Sequence, residues 1–222
     1  MDVYTSTLIL FAILFILCLC LFWNKVSSYF DIIIIILLIL AVGYYLFSEG
    51  TNHDVVYVKS DIDGELYLVR DLPDKQYSAN ALSKIKKNML TLNSYLVEHK
   101  NEFPNYVKCI DLLNSRIKNS VLIENGEDNV YTSYSVNKGE QLVFCLRSKR
   151  VANKLHDMNL MMYVVLHEMA HVGCTSIGHT DEFKRIFAFY TQQAIKIGLY
   201  EKIDFPNDPR EYCGMTITES II

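Results

Sequence analysis

The chain has 222 residues, with 25 acidic against 21 basic side chains and a formal net charge of -4. That length accommodates one membrane-attachment region and one folded domain large enough to bury a core without staples. Lys and Arg fall in short clusters, such as Lys84, Lys86, Lys87 and Arg147, Lys149, Arg150, which read as solvated surface. They give no strong sign of nucleic-acid binding, which needs a concentrated basic face. The six cysteines contain no CxxC pair and imply no disulfide framework, so they leave the compartment open.

Residues 8–23 and 32–47 are free of charge and are separated by NKVSSYFD. Each holds about sixteen strongly apolar residues, ~24 Å as helix against a ~30 Å hydrocarbon core, and aromatic rings flank both runs. A run such as IIIIILLIL has no polar face to show solvent. The expectation is therefore a transmembrane helical hairpin over residues 1–48. The protein would be an integral membrane protein with both termini on one side and the lipid bilayer as a partner. A cleaved signal peptide fits poorly, since nothing basic precedes the first run, and Lys25 alone does not fix the orientation.

Alternation in VVYVKS (55–60) and ELYLVR (65–70) around DIDG predicts a β-hairpin turned at Asp63-Gly64, within a membrane-proximal segment over residues 49–77. Leu82, Ile85, Met89, Leu92 and Leu96 recur at helical spacing and predict an amphipathic helix over 79–99, capped by Ser78 or Asn80. Pro104 suits the first turn of another helix, with Val107, Ile110, Leu113 and Ile117 as its buried stripe. VLIEN (121–125), VYTSYSV (130–136) and QLVFCLR (141–147) predict three short strands, the last two joined by a turn at Asn137-Lys138-Gly139. A helix capped by Asp157 or Asn159 then runs to about Val172, with Gly173 available to end it. Its body, LMMYVVL, is apolar on every side and so must be buried. Polar groups at its end need something to satisfy them, and one bound cation would serve them together.

Those groups are HEMAH. His167 and His171 lie one helical turn apart and can ligate the same ion, while Glu168, rotated about 100° from His167, sits beside the open position as a general base. Zn2+ is the natural occupant of a nitrogen-rich site, and a catalytic zinc usually has three protein ligands. Residues 174–178 form a short loop, and His179 returns just before a helix that Thr180 can cap, so His179 is the chosen third ligand. Asp181, Glu182, Glu201 and Glu211 are its rivals. His156 is about three turns from His167 and cannot share the ion, and His53 and His99 read as surface. Cys174 reads as a small buried residue that could also close the site as a fourth ligand. Tyr163, Tyr190 and Tyr212 are candidates for stabilising an oxyanion, and the sequence does not choose among them.

Asn137-Lys138-Gly139 followed by QLVFCLRS, then HEMAH, then GHTDEF, resembles the core of the WLM metalloproteases and, more broadly, the SprT-like zincins. The resemblance covers roughly residues 112–189. It implies zinc at His167, His171 and His179 with Glu168 as general base, and a zincin-like domain over residues 78–222. It also implies a strand before the active helix that pairs with an extended substrate, for which VYTSYSV is the candidate. The fold class expected is thus α+β, a transmembrane hairpin followed by a zincin-like domain with a short mixed or antiparallel sheet and an H-E-x-x-H helix. The function expected is a membrane-anchored zinc metalloendopeptidase, a hydrolase acting on a protein or peptide substrate. The alternative is a non-catalytic zinc-binding membrane scaffold.

Overall fold

The computed structural model describes residues 55–127, 129–151 and 154–222, with Tyr29, Ile36, Leu37 and Gly43 as isolated positions before them. Contacts divide the chain into Met1–His53 and Asp54–Ile222, and the second unit carries everything described below.

A five-stranded mixed sheet runs in the order β1-β2-β3-β5-β4, formed by β1 (Val55–Lys59), β2 (Leu66–Arg70), β3 (Val121–Glu124), β4 (Tyr134–Val136) and β5 (Gln141–Phe144). β1 and β2 are antiparallel, β2 meets β3 in parallel at Leu68 and Ile123, β3 and β5 are parallel, and β4 returns antiparallel along β5. β4 is therefore an edge, hydrogen-bonded to a neighbouring strand on one side. Among the described residues of the unit four α-helices accompany the sheet: α1 (Lys75–Glu98), α2 (Val107–Ile117), α3 (Met158–Gly173) and α4 (Asp181–Lys196). A small hairpin, β6 (Arg210–Tyr212) with β7 (Met215–Ile217), follows them.

The core lies where α1 crosses β1, β2 and β3 and where α3 is enclosed by its helical neighbours α1, α2 and α4. Leu82, Ile85, Met89, Leu92 and Leu96 of α1 are all buried, as their helical spacing requires. In α3 burial extends around the whole circumference, which accounts for a body apolar on every side. Ile110, Leu113 and Ile117 form the inner face of α2.

The transmembrane hairpin has no counterpart among the described residues. Among the described residues no helix is long and apolar enough to cross a membrane. The two apolar segments of residues 1–48 fall outside the described residues, apart from the isolated positions. An apolar run supports a crossing only where a continuous helix of about 20 residues carries it, and no described helix does. The fold class is corrected to α+β with a mixed sheet, and the integral-membrane localisation is withdrawn with the hairpin.

Local differences have local causes. The hairpin turn takes a positive φ at Gly64 alone (74°), and Ser60 to Glu65 close a wider loop than a two-residue turn. α1 begins at Lys75, with Asp74 as its cap position, because Ser78 and Asn80 are used elsewhere. Asn80 accepts the Asp61 N–H at 2.9 Å and so ties the hairpin loop to α1, while Ser78 meets Arg147. Pro104 opens a short 3-10 turn, Pro104–Tyr106, that leads into α2. β4 starts only at Tyr134, since the carbonyls of Tyr131 and Thr132 accept the Asn125 side-chain amide at 2.6 and 2.8 Å instead of joining the ladder. β5 stops at Phe144, and beyond it the Cys145 N–H goes to Ser133 Oγ.

Arg147 is not surface. Its guanidinium is 3% exposed and contacts Glu124 (2.8 Å), Asp74 (2.7 Å) and Ser78 (2.8 Å). The cysteines also depart from expectation, because Cys145 and Cys213 form a disulfide that closes 68 residues of chain. Loop-closure entropy at that length corresponds to roughly 4 kcal/mol. A Cys213→Ser variant is accordingly expected to unfold at lower urea with a steeper slope, since its unfolded chain is less compact, and dithiothreitol should give the same shift in the wild type. Equal midpoints would show that the bridge does not restrain the chain.

Candidate metal centre

Asp157 caps α3 by accepting the Leu160 N–H at 2.9 Å. The helix then delivers His167, Glu168 and His171 to one end of the enclosed bundle. Asn159, the other cap candidate, exchanges hydrogen bonds with the Glu201 backbone. Arg116 donates to the Val172 carbonyl at 2.6 Å, so a cation meets the negative end of the helix. Gly173 is the last helical residue, and its reason is steric. A Cβ there would stand 2.3 Å from the Tyr190 hydroxyl, which itself bonds the Cys109 carbonyl.

The chain leaves α3 at Cys174 in an extended conformation and returns through Gly178 at φ 81°. Two side chains hold this loop. Glu182 accepts Thr175 Oγ1–H at 2.7 Å and the Ser176 N–H at 3.2 Å, and hydrogen bonds from Thr175 and Ser176 keep its carboxyl down at about 2. Lys138, from the β4–β5 turn where Asn137 and Lys138 both adopt positive φ, donates to the carbonyls of Cys174 and Ser176. The Lys138 role was not visible in the sequence, because its contacts join the β4–β5 turn to a loop that only the fold brings beside it. Thr180 caps α4 by accepting the Phe183 N–H, as its position predicts.

Three imidazoles converge as a result. His167 Nε2 lies 3.2 Å from His171 Nε2 and 3.0 Å from His179 Nε2, and one ligand nitrogen from each ring falls within 4.8 Å of the others. Ligands held at ~2.0–2.1 Å around a tetrahedral ion sit ~3.3 Å apart, so these spacings fit the edges of such a site. Burial, then the neighbouring His171 and His179, pushes the His167 imidazole down to about 3; burial, with His179 and Lys138, pushes His171 down to about 4. At neutral pH those rings are uncharged and present lone pairs. The trio can hold a metal ion. Phe183 packs on all three rings, stacked on His171 with centroids 4.2 Å apart and edge-on to the others, which fixes their orientation.

Glu168 is 3% exposed, its Oε2 has no hydrogen-bond partner, and burial raises its carboxyl to about 8. A buried carboxylate in that condition is costly unless a cation or a polar ligand stands nearby. It lines a cleft of about 820 Å3 together with the three histidines, Ser133 to Ser135 at the β4 edge, and Tyr212. Of the rival ligands, Glu182 is held by the loop, Glu211 accepts the Gly214 N–H at 2.6 Å, and Glu201 and Asp181 do not join the trio. Cys174 is buried with its thiol 3.1 Å from Ser176 Oγ, and His156 accepts the Cys213 N–H. His99 is half-buried rather than exposed, stacked on Tyr95, and His53 lies outside the described residues.

No family model matches the chain. Uncharacterized protein R325 of Acanthamoeba polyphaga mimivirus is 42% identical to it over 196 residues, covering 88% of this chain and 99% of that protein. The chain belongs to the R325 family. Uncharacterized protein 136R of Invertebrate iridescent virus 6 is 29% identical to this R325-family chain over 136 residues, covering 60% of it and 70% of the viral protein. Among solved structures, the crystal structure of Wss1 from Saccharomyces cerevisiae aligns at a TM-score of 0.42 and 21% identity, covering 59% of the R325-family chain and 90% of Wss1. That likeness is too slight to carry an argument about the site, whose reading rests on its own geometry.

Proposed function

We propose that the protein is a zinc-dependent metalloendopeptidase. His167, His171 and His179 hold the ion and Glu168 is the general base. One juxtaposition supports this reading: three imidazole nitrogens face a common point beside a buried carboxylate with an unpartnered oxygen, in a cleft bordered by a free strand edge. Zinc bound by such a trio supplies Lewis acidity, polarising a carbonyl and acidifying water.

The chain's own residues do the rest. Glu168 takes the proton of the attacking water and returns it to the leaving nitrogen, a role suited to a carboxyl whose burial raises its proton affinity. β4 offers its unpaired backbone to an extended peptide, which places a scissile bond along the cleft. Val164, Phe187 and Ile217 line the same cleft as apolar walls against which a substrate's side chains can pack. The substrate class is thus an extended protein or peptide segment. Among the described residues the ligand group comprises these three histidines, with no fourth His, Cys, Asp or Glu closing it, and an open position is what turnover requires.

The test is zinc stoichiometry together with cleavage of a quenched fluorogenic peptide. The purified protein is expected to hold one equivalent of zinc and to lose cleavage when a chelator removes it. His179→Ala should weaken zinc binding by more than about 100-fold, beyond the loss typical of an outer-shell change, while Glu211→Ala leaves it unchanged. Full zinc retention in His179→Ala with loss in Glu211→Ala would move the third ligand, and no zinc in the wild type would end the reading.

A further inference from the structure

We infer that Tyr212 is the hydrogen-bond donor that stabilises the oxyanion formed at the substrate carbonyl. This rests on the peptidase reading above and concerns a different residue of the same cleft.

Three tyrosines compete for the role, and their hydroxyl partners separate them. Tyr190 donates to the Cys109 carbonyl deep in the core and does not line the cleft. Tyr163 lines it, yet its hydroxyl accepts the Ile221 N–H at 3.1 Å and meets the Glu219 carbonyl at 3.4 Å, so its proton already has an acceptor in the C-terminal segment. Tyr212 lines the cleft with Glu168, and its hydroxyl meets the hydroxyl of Ser133.

The proton inventory around that last contact matters. Ser133 Oγ accepts the Cys145 N–H at 3.1 Å. With its own hydrogen donated to the Tyr212 oxygen, one of the two directions that contact allows, the phenolic proton has no acceptor among the described residues and is left for a ligand. Burial is the largest cause raising the phenol above its ordinary range, so it remains a protonated donor at any working pH.

Position is fixed as well as chemistry. Cys213, the next residue, is bridged to Cys145 beyond the end of β5, and its N–H donates to His156 Nε2. The His156 ring in turn lies 5.0 Å from that of Tyr212. Cys213 and Gly214 both take positive φ, so β6 and β7 turn back tightly and Tyr212 is held at the base of that turn. Arg150 secures the same turn through the Gly214 carbonyl and Thr216. A donor restrained from both sides needs no reorganisation when charge develops, which is the condition for electrostatic stabilisation of a transition state.

The experiment compares the zinc-loaded full chain with its Tyr212→Phe and Ser133→Ala variants on the fluorogenic peptide. Binding of a phosphinic peptide, a tetrahedral mimic, is measured by calorimetry. Tyr212→Phe is expected to lower kcat by about 10²-fold, the loss typical of one oxyanion donor, with KM within about threefold. It should weaken the phosphinic peptide in parallel while zinc stoichiometry and the uncleaved peptide's affinity hold. Ser133→Ala, which loosens the phenol without removing it, should lower kcat by a smaller factor. Unchanged kcat and phosphinic affinity in Tyr212→Phe, with Glu168→Gln inactive, would overturn the assignment and leave the peptidase reading standing. Absence of chelator-sensitive cleavage in the wild type would remove both. Should Tyr212→Phe fail to fold, full activity in Ser133→Ala would count against the role.

Discussion

Glu168→Gln is expected to lower peptide cleavage by about 10²–10⁴-fold, the range that one positioned general base supplies, while zinc stoichiometry and fold are retained. The variant keeps the shape of a side chain that is 3% exposed and removes only its ability to accept a proton. Stability should hold, because the Oε2 atom makes no hydrogen bond that the amide would lose. Burial raises the Glu168 carboxyl to about 8, and a cation beside it would draw that value down towards neutrality, where base catalysis is most efficient. kcat/KM measured with the zinc content of each sample separates the cases. Loss of zinc along with activity would make Glu168 a ligand, whereas unchanged cleavage would take it out of the reaction.

What could be read in advance was local. The caps at Asp157 and Thr180 follow from side chains bonding amides three residues on, and both are found. The helical spacing of His167 and His171 and the short return to His179 likewise belong to neighbouring residues. The elements that failed depend on distant partners. Arg147 sits in a basic cluster that looks solvated, and nothing nearby announces Glu124 or Asp74. Cys145 and Cys213 are 68 residues apart, with no spacing signal to join them. The shortening of β4 comes from one Asn125 amide competing for two carbonyls. The apolar runs of residues 1–48 suggested a membrane-crossing pair from length and polarity alone, and those runs lie, apart from isolated positions, outside the described residues, among which no helix is long and apolar enough to cross a membrane.

Arg147→Met is expected to destabilise the folded state by about 3–5 kcal/mol, the cost of leaving a buried charge without its partner. Glu124 is the charge in question: its side chain is 1% exposed, its Oε1 takes the Arg147 Nε–H, and its Oε2 takes the Arg70 N–H at 2.9 Å. Methionine preserves much of the arginine's volume, so the loss reads as electrostatic rather than as a cavity. Glu124→Gln combined with Arg147→Met should cost less than the two single changes added, since the double variant buries no lone charge. Asp74 makes the effect pH-dependent. Its hydrogen bond to Arg147 holds its carboxyl below the usual range, so its share of the stability is present above the unfolded pKa and fades as pH falls through the folded one. Urea midpoints for wild type and Arg147→Met should therefore approach each other in strong acid. The consequence reaches the cleft, because Asn125, next to Glu124, carries the amide that fixes Tyr131 and Thr132 before β4. A chain that loses this anchor should present a looser strand edge, so Arg147→Met should raise KM for an extended peptide more than it lowers kcat. Equal stability of wild type and variant at neutral pH would show that the cluster contributes nothing to holding that edge.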